Sequence, residues 1–528
     1  MYCQLETLRR CSPQDLPLYL GDLPKSLDET YERILKQIHA PQQGRAHRIL
    51  QCLTVATRPL RVVELAQALT VEIPAMGGIP KMKADLRWED QEQIVQSACS
   101  SLIALVEVDN SQLVQFSHFS VKEFLTSSRL SEPNGALQHF HIQPERANTI
   151  MAQACLGLLC NLDYNTDKEC VETFPLAAYA AQHWVDHAEY GDVLSRIRDE
   201  LDYFLDHDKP HLAAWLWVRK KGLHLIWQPI PEHHPEQLEA VPLYYVAVLG
   251  FRGLVQHLVS NYPEHLNSRD GRYGTPLHAA VYEKQVKVLQ LLASVNVDVR
   301  DTNDQTPLHT ASRLGFADIA GLLLNSSAGV NACDNARRTP LHLAAADGRL
   351  EAILMLIGHN ADVAARDDEG RTPLYRAIEC DHLDAAQLLL QHNADTDAQN
   401  NKSSGPLHLA AFKRDPNVTR LLLGHGANIH IRNNEGQTPL HHAVWNGNYG
   451  VMQLLLNHGA DVDARDNTDS TPLHLASFCR LPKAVQLLLQ HGANVHAQDR
   501  EGKNAFIVAS ERGHQEIMQL LSEYRQSK

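Results

Sequence analysis

The stretch TPLHHAVWNGNYGVMQLLLNHGADVDARDNTDS, residues 438–470, is followed at Thr471 by a second copy of its own opening, TPLH. The same tetrapeptide begins at Thr275, Thr306 and Thr339, with TPLY at Thr372, GPLH at Gly405 and an eroded NAFI at Asn504. The first step, 275 to 306, is 31 residues and every later one is 33. VPLY at Val241 lies 34 residues before Thr275, so the pattern counts nine copies between about 235 and 528. Their core motifs start near 241, 275, 306, 339, 372, 405, 438, 471 and 504. A fixed period of this size predicts stacked, like-built supersecondary units rather than one closed core.

Each copy reads alike. An Asp or Asn stands five residues before the Thr (Asp270, Asp301, Asp334, Asp367, Asn400, Asn433, Asp466, Asp499). Thr-Pro opens a short helix, since Thr caps and Pro is tolerated in the first turn. A second helix carries apolar triplets such as Leu322-Leu323-Leu324, Leu388-Leu389-Leu390, Leu454-Leu455-Leu456 and Leu487-Leu488-Leu489. His-Gly-Ala or His-Asn-Ala then follows at His359, His392, His425, His458 and His491, where Gly or Asn suits a left-handed helix end. No copy buries its triplet alone, so neighbours must stack. The last copy turns polar and ends EYRQSK, as a solvent-facing cap should.

These motifs resemble the ankyrin-repeat family over 241–528. The resemblance implies that the Thr and His of TPLH tie successive repeats by hydrogen bonds, which leaves them no catalytic role. It also absorbs eleven of the chain's 30 histidines: six three residues after the repeat Thr or its equivalent, and five before the loop Gly or Asn. The family's turn glycine, two before the Thr, survives at Gly370, Gly436 and Gly502, while Tyr273, Asp304, Arg337, Ser403 and Asp469 replace it elsewhere. Arg and Tyr disfavour positive φ, so the turns before Thr275 and Thr339 are expected to be altered. The 31-residue step drops the loop His-Gly near 294–297, and the early repeats are expected to be looser than the later ones.

The first half reads as helices and a hairpin. Residues 23–38 carry a capping box, Ser26 with Glu29, and an apolar face of Leu27, Tyr31, Ile34, Leu35 and Ile38. Helices are expected over 46–56 and 62–69, then over 95–105 running into a strand that ends near Val108. Asp109-Asn110-Ser111 turns, residues 113–117 pair back, and a capping box at Ser120–Glu123 opens a helix through Leu125. That order is a winged-helix pattern. The segments CQLETLRRC, LPKSLDETYERIL, LTVATRPLRVVELAQAL and FSHFSVKEFL resemble the tail of the nucleotide-switch module in fungal NACHT–ankyrin proteins, which are STAND-type NTPases. No GxxxxGK[ST] loop occurs, and Gly502-Lys503 has neither the spacing nor a preceding strand. Further helices are expected over 149–159, 174–188, 193–205 and 211–219, as a connector packed on the first repeat. The reading is thus mainly α, a winged-helix and helical module before a solenoid. Its domains are 1–135 (truncated NACHT-associated region), 136–234 (helical connector) and 235–528 (nine repeats).

Composition narrows the function. The 528 residues are 44% hydrophobic and 21% charged, ordinary for a globular chain. Residues 1–240 hold 32 acids and 22 bases, and the rest 30 and 26, so the halves carry −10 and −4 of the total −14. Neither half offers a broad grip on nucleic acid or anionic lipid. The start MYCQLETLRRC has no apolar run, so no secretory signal is expected. The longest apolar stretch, 241–251, is too short to span a membrane. Ten cysteines without a CxxC pair fit a reducing compartment, cytoplasm or nucleus.

Candidate chemistry is sparse. His183 and His187 stand at i, i+4, but Trp184 replaces the Glu of the zinc-protease pattern and no third ligand follows. His207/His211, His233/His234, Cys155/Cys160 and Cys170 with His183 match no motif, so no catalytic, cofactor or metal site is expected. The third helix near 91–105 carries Glu92 and no Lys or Arg, which speaks against direct DNA reading. Seven residues after each repeat Thr stand Tyr282, Arg313, Ala346, Glu379, Phe412, Trp445, Phe478 and Glu511. The family resemblance places this position on the concave groove. Tyr282, Phe412, Trp445 and Phe478 are therefore candidate partner contacts, with packing between repeats as the competing use. Arg272, Arg337, Arg338 and Arg371 form a second candidate, a basic hairpin edge. The expected function is a non-catalytic scaffold or adaptor for another protein of unknown identity, such as a transcriptional co-regulator. The alternatives are the back end of a STAND NTPase and, further off, a DNA-binding winged helix.

Overall fold

The computed structural model describes residues 26–74, 78–82, 93, 95, 101–109, 111–131, 135–162, 174–206, 208–219 and 238–527. It is mostly helical, 57% helix and 4% strand, and divides into two compact units, 1–272 and 273–528.

In the first unit Ser26 caps the helix Leu27–Gln37 by accepting the Glu29 N–H at 3.2 Å. Helices Ala40–Val55 and Val62–Thr70 follow. Strands β1 (Leu60–Arg61), β4 (Ile103–Val108) and β5 (Ser111–Phe116) form an antiparallel sheet in the order β1-β5-β4. A separate pair joins β2 (Val71–Glu72) to β3 (Lys81–Met82). Two expectations are corrected here. Ile103–Leu105 is already strand, not helix, and most of 91–105 lies outside the described residues. The helix Phe119–Thr126 is capped by the His118 ring, which accepts the Ser120 N–H, while the Ser120 hydroxyl bonds Tyr31 Oη at 2.8 Å.

The glutamate that opens Val62–Thr70 shows how this unit is held. Glu64 is fully buried, takes both arms of Arg58 at 2.8 and 2.9 Å, and accepts the Arg61 N–H at 2.8 Å. Burial pushes its carboxyl up, but the two arginines outweigh that and hold it below the ordinary value. The stretch expected as one helix over 193–205 breaks at Ile197 into Val193–Arg196 and Arg198–Phe204. Trp184, Phe204 and Trp215 meet edge-on or tilted at 5.3 to 5.8 Å. The helix pair Pro242–Leu249 and Arg252–Asn261 belongs to this unit. It is tied to the preceding helices by Glu189 accepting the Gly253 N–H at 2.6 Å and by His257 against Asp202 at 2.9 Å.

The second unit is eight helix pairs in series. The first helices run Pro276–Tyr282, Pro307–Leu314, Pro340–Ala346, Pro373–Glu379, Pro406–Phe412, Pro439–Trp445, Pro472–Phe478 and Ala505–Glu511. Each is seven or eight residues, too short to persist alone. The second helices bury the last two leucines of their triplets: Leu323 and Leu324, Leu389 and Leu390, Leu455 and Leu456, Leu488 and Leu489. Each such leucine contributes about 1.5–3 kcal/mol, and only a stacked neighbour makes the burial possible. Asn360, Asn393, Gly426, Gly459 and Gly492 turn left-handed after these helices. No residue of 293–298 does so, which is where the 31-residue step loses its loop pair.

One polar bond recurs along the stack. The repeat histidine donates from Nε2 to the backbone carbonyl just before the next repeat's Thr: His278 to Gln305 (3.0 Å), His309 to Arg338 (2.9 Å), His342 to Arg371 (3.0 Å), His408 to Gln437 (2.9 Å), His441 to Ser470 (3.3 Å) and His474 to Lys503 (3.0 Å). A carbonyl only accepts, so Nδ1 must be the unprotonated nitrogen. It takes the hydroxyl of Thr275, Thr306, Thr339, Thr438 or Thr471 at 2.8–2.9 Å. The Thr hydroxyl therefore serves the ring instead of the helix end. Thr372 alone among these caps as expected, accepting the Tyr375 N–H at 3.3 Å.

The hairpin tips are built by the Asp or Asn five before the Thr. Asp334 Oδ1, for instance, accepts the N–H groups of Ala336 and Arg338 at 3.0 and 2.9 Å. These bonds hold the residue two before the Thr left-handed. Gly370, Gly436 and Gly502 adopt that conformation freely, but Asp304, Arg337, Ser403 and Asp469 are also forced into it, Arg337 at φ 57°. The turn before Thr339 is thus unaltered, whereas the turn before Thr275 shifts its left-handed residue to Gly274, φ 93°.

Two outcomes follow. Arg337→Gly relieves a left-handed side chain and is expected to raise stability by about 1 kcal/mol, seen as a higher melting temperature; an unchanged or lower one contradicts the strain. Burial pushes His278 and His442 down to about 4 from the ordinary 6.5, and lowers His309, His342, His408, His441 and His474. Between those limits the unfolded chain binds more protons, so stability is complete above about pH 6.5 and is lost as pH falls toward 4. Thermal melts of the whole chain should show that slope, and a flat melting temperature down to pH 4.5 would contradict it.

Candidate functional site

Phe412, Trp445 and Phe478 each end a first helix, and consecutive first helices pack together. Their rings stay 52%, 54% and 40% exposed. Trp445 and Phe478 stack at 6.3 Å with planes 19° apart. The Arg512 guanidinium continues the stack, 3.9 Å from the Phe478 centroid. A row of half-exposed rings closed by a cation offers apolar area and π-faces without further desolvation of the protein's own core.

Tyr282 is placed differently. It is half-buried, stacks on Tyr273 at 4.4 Å, and its hydroxyl accepts from Arg313. Arg313, Ala346 and Glu379 occupy the equivalent positions between it and Phe412, so the structure does not join it to the other three rings. Sequence reading also missed Arg414, Arg480 and Arg512, which are exposed in the turns after the first helices ending at Phe412, Phe478 and Glu511. Their signal was available: each stands one or two residues beyond the ring position or its equivalent.

The four hairpin-edge arginines separate as well. Arg272 closes the first compact unit, and the other three lie in the second. Arg338 pairs with Asp334 at 2.8 Å. Burial pushes that carboxyl up, but the Arg338 side chain and backbone N–H hold it below the ordinary range. Arg371 meets Asp367, Glu369 and Glu379 at 2.9, 3.0 and 3.4 Å and is only 14% exposed at its side chain. Both arginines brace their own hairpins, while Arg337 is exposed at its tip.

The remaining candidates sort into structural uses. His187 is buried between Tyr179 Oη (2.9 Å) and Asn148 Oδ1 (2.8 Å), and burial pushes it down to about 4. His183 turns to Asp186 at 3.0 Å, so the two rings share no ligand position. His211 lies tilted against Tyr203, ring centroids 5.2 Å apart, and His207, His233, His234 and Cys170 lie outside the described residues. Cys155 and Cys160 are unpaired, and burial raises both thiols. Among the described residues no group of three or more His, Cys, Asp or Glu is placed to hold a metal, and no helix is long and apolar enough to cross a membrane.

Stacked helix pairs joined by hairpins, with a variable row at the first-helix ends, define a repeat protein of the interaction class. Residues 243–334, 322–400, 394–466 and 464–528 match the family described as "Ankyrin repeats (3 copies)", and the chain belongs to that family. Residues 31–137 match "GPI inositol-deacylase, winged helix domain". The chain is similar to the "Azaphilone pigments biosynthesis cluster protein L" of Monascus ruber, 29% identical over 299 residues, 54% of this chain and 62% of that protein. The match thus spans less than two thirds of that relative. Among solved structures it is similar to the human ASB11 ankyrin repeat domain (26% identical, 41% of this chain, 98% of that one, TM-score 0.37). It is also similar to the ankyrin repeat domain of Bcl-3, a member of the IkappaB protein family (28%, 41%, 98%, TM-score 0.39).

If the ring row is surface rather than core, Trp445→Ala should cost about 1 kcal/mol or less, against roughly 3–5 kcal/mol for truncating a fully buried tryptophan such as Trp184. Equal losses in chemical denaturation would make Trp445 a packing residue.

Proposed function

We propose that this chain is a non-catalytic scaffold that holds another protein along the face made by the ends of its first helices. A regulatory adaptor, such as a transcriptional co-regulator, is the form such a scaffold would take. The observation that carries the reading is the row Phe412, Trp445 and Phe478, large rings left 40–54% exposed at the same position of three consecutive repeats. Clustered exposed aromatics are where binding energy concentrates. The buried histidines support the non-catalytic part, because both ring nitrogens are already committed to hydrogen bonds between repeats.

The test is capture of partners from native extract by the full chain and by the Trp445→Ala/Phe478→Ala double variant. Loss of specific partners with the melting temperature within a few degrees supports the reading; an unchanged partner set removes it.

The winged-helix match at 31–137 favours one second reading, in which this chain is the regulatory and interaction part of a STAND-type NTPase. An in-frame Walker A segment in genomic sequence upstream of Met1 would establish it.

A further inference from the structure

The first-helix face carries charge of both signs. Its early repeats hold Arg313 and Arg349 beside Asp347, Glu379 and Asp381, with Glu379 and Asp381 answered by Arg376 and Lys413 at 2.6 Å each. Beside the rings stand Arg414, Arg480 and Arg512, all exposed. Arg414 donates to the Asn446 carbonyl at 3.4 Å, Arg512 lies on Phe478, and no described ion pair engages any of the three. Of the acids next to them in sequence, Asp415 caps its helix by accepting the Asn417 N–H at 2.8 Å, and Glu511 takes Lys503 at 2.8 Å. Stacking uses the guanidinium face and leaves its in-plane N–H donors for a carboxylate.

Resting on the scaffold reading above, we propose that the partner segment held here is an acidic polypeptide rich in apolar side chains. Its apolar groups cover Phe412, Trp445 and Phe478, and its carboxylates pair with Arg414, Arg480 and Arg512. Neighbouring packed helices stand about 8–10 Å apart, so three steps from Phe412 to Arg512 span roughly 25–30 Å, which about eight or nine extended residues would cover. A nucleic acid strand could also stack on rings beside arginines, but the half of the chain that holds the rings is itself net acidic, −4 of the total −14, and on its hairpin tips Asp469 and Glu501 pair with Arg500 and Lys503. That field repels a polyanion while tolerating a short segment with a few carboxylates.

The test is fluorescence anisotropy with the full chain and three labelled probes of about sixteen units: a peptide alternating Asp/Glu with Leu/Phe, the same peptide with Lys for each acid, and an oligo-dT strand. The acidic peptide should bind best, weaken as salt rises, and lose about tenfold or more in affinity on Arg414→Glu/Arg480→Glu/Arg512→Glu. Lys287→Glu, on a second helix, should change nothing. Should the triple variant unfold, the salt dependence of the unaltered chain decides. Preference for the basic peptide or for oligo-dT, or indifference to both salt and the arginines, overturns the proposal. If Trp445→Ala/Phe478→Ala still abolishes capture of natural partners in those cases, the ring face stands and only the acidic class falls. If that variant captures everything, the scaffold reading falls with it.

Discussion

The stack depends on a single imidazole used twice. The typical repeat histidine accepts from the Thr of its own repeat and donates to the carbonyl that precedes the opening residue of the next. A buried ring that does both must be neutral and in one tautomer, so the bond fixes chemistry as well as position. It also fixes register. His309 reaches a carbonyl 29 residues on, whereas His278 reaches one only 27 residues on. The two-residue deletion in that repeat is absorbed in the loop at 293–298, and the inter-repeat bond is kept.

Two places show what the bond tolerates. At Gly405 the hydroxyl is missing, yet His408 accepts the Gly405 N–H at 3.2 Å and still reaches Gln437. At Tyr375 the imidazole itself is replaced. The phenol hydroxyl there accepts from the Asn400 side chain at 3.3 Å, and Thr372, released from its ring, caps its helix. A polar bond to the following repeat is kept in both cases, with its direction reversed at Tyr375, and the Thr is the adjustable part.

Much of this was legible because the period is set by short-range chemistry: Thr-Pro starts, Gly or Asn ends, and apolar triplets all lie within one repeat. What was hidden depends on groups a repeat apart. Nothing in 438–470 says that the Thr hydroxyl will serve a ring rather than a helix end, since both uses need the same residue. Arg337 reads as a poor left-handed residue, and it is one; the Asp334 carboxylate, holding two N–H groups of the tip, overrides its preference. Arg338 and Arg371 looked like a basic edge because charge was counted by type, although each has its acid four residues before it. The Phe478–Arg512 stack joins residues 34 apart, which no local pattern displays. In the first half, the short β1 strand and the break at Ile197 depend on packing that periodicity does not encode.

The division of labour within a repeat bears on what the protein does. Stability comes from the buried leucines of the second helices and the histidine bond, which recurs in six of the eight repeats. The position seven beyond the Thr contributes to neither, and it runs Tyr, Arg, Ala, Glu, Phe, Trp, Phe, Glu along the stack. A position with no structural duty would drift toward small or charged residues, because exposed rings cost solubility and gain nothing in the fold. Three large aromatics in consecutive repeats, with arginines in the turns after Phe412 and Phe478, run against that drift. The departure is confined to the repeats from Gly405 onward. Because the variable position carries neither the leucine packing nor the histidine bond, it can change from repeat to repeat without loosening the stack.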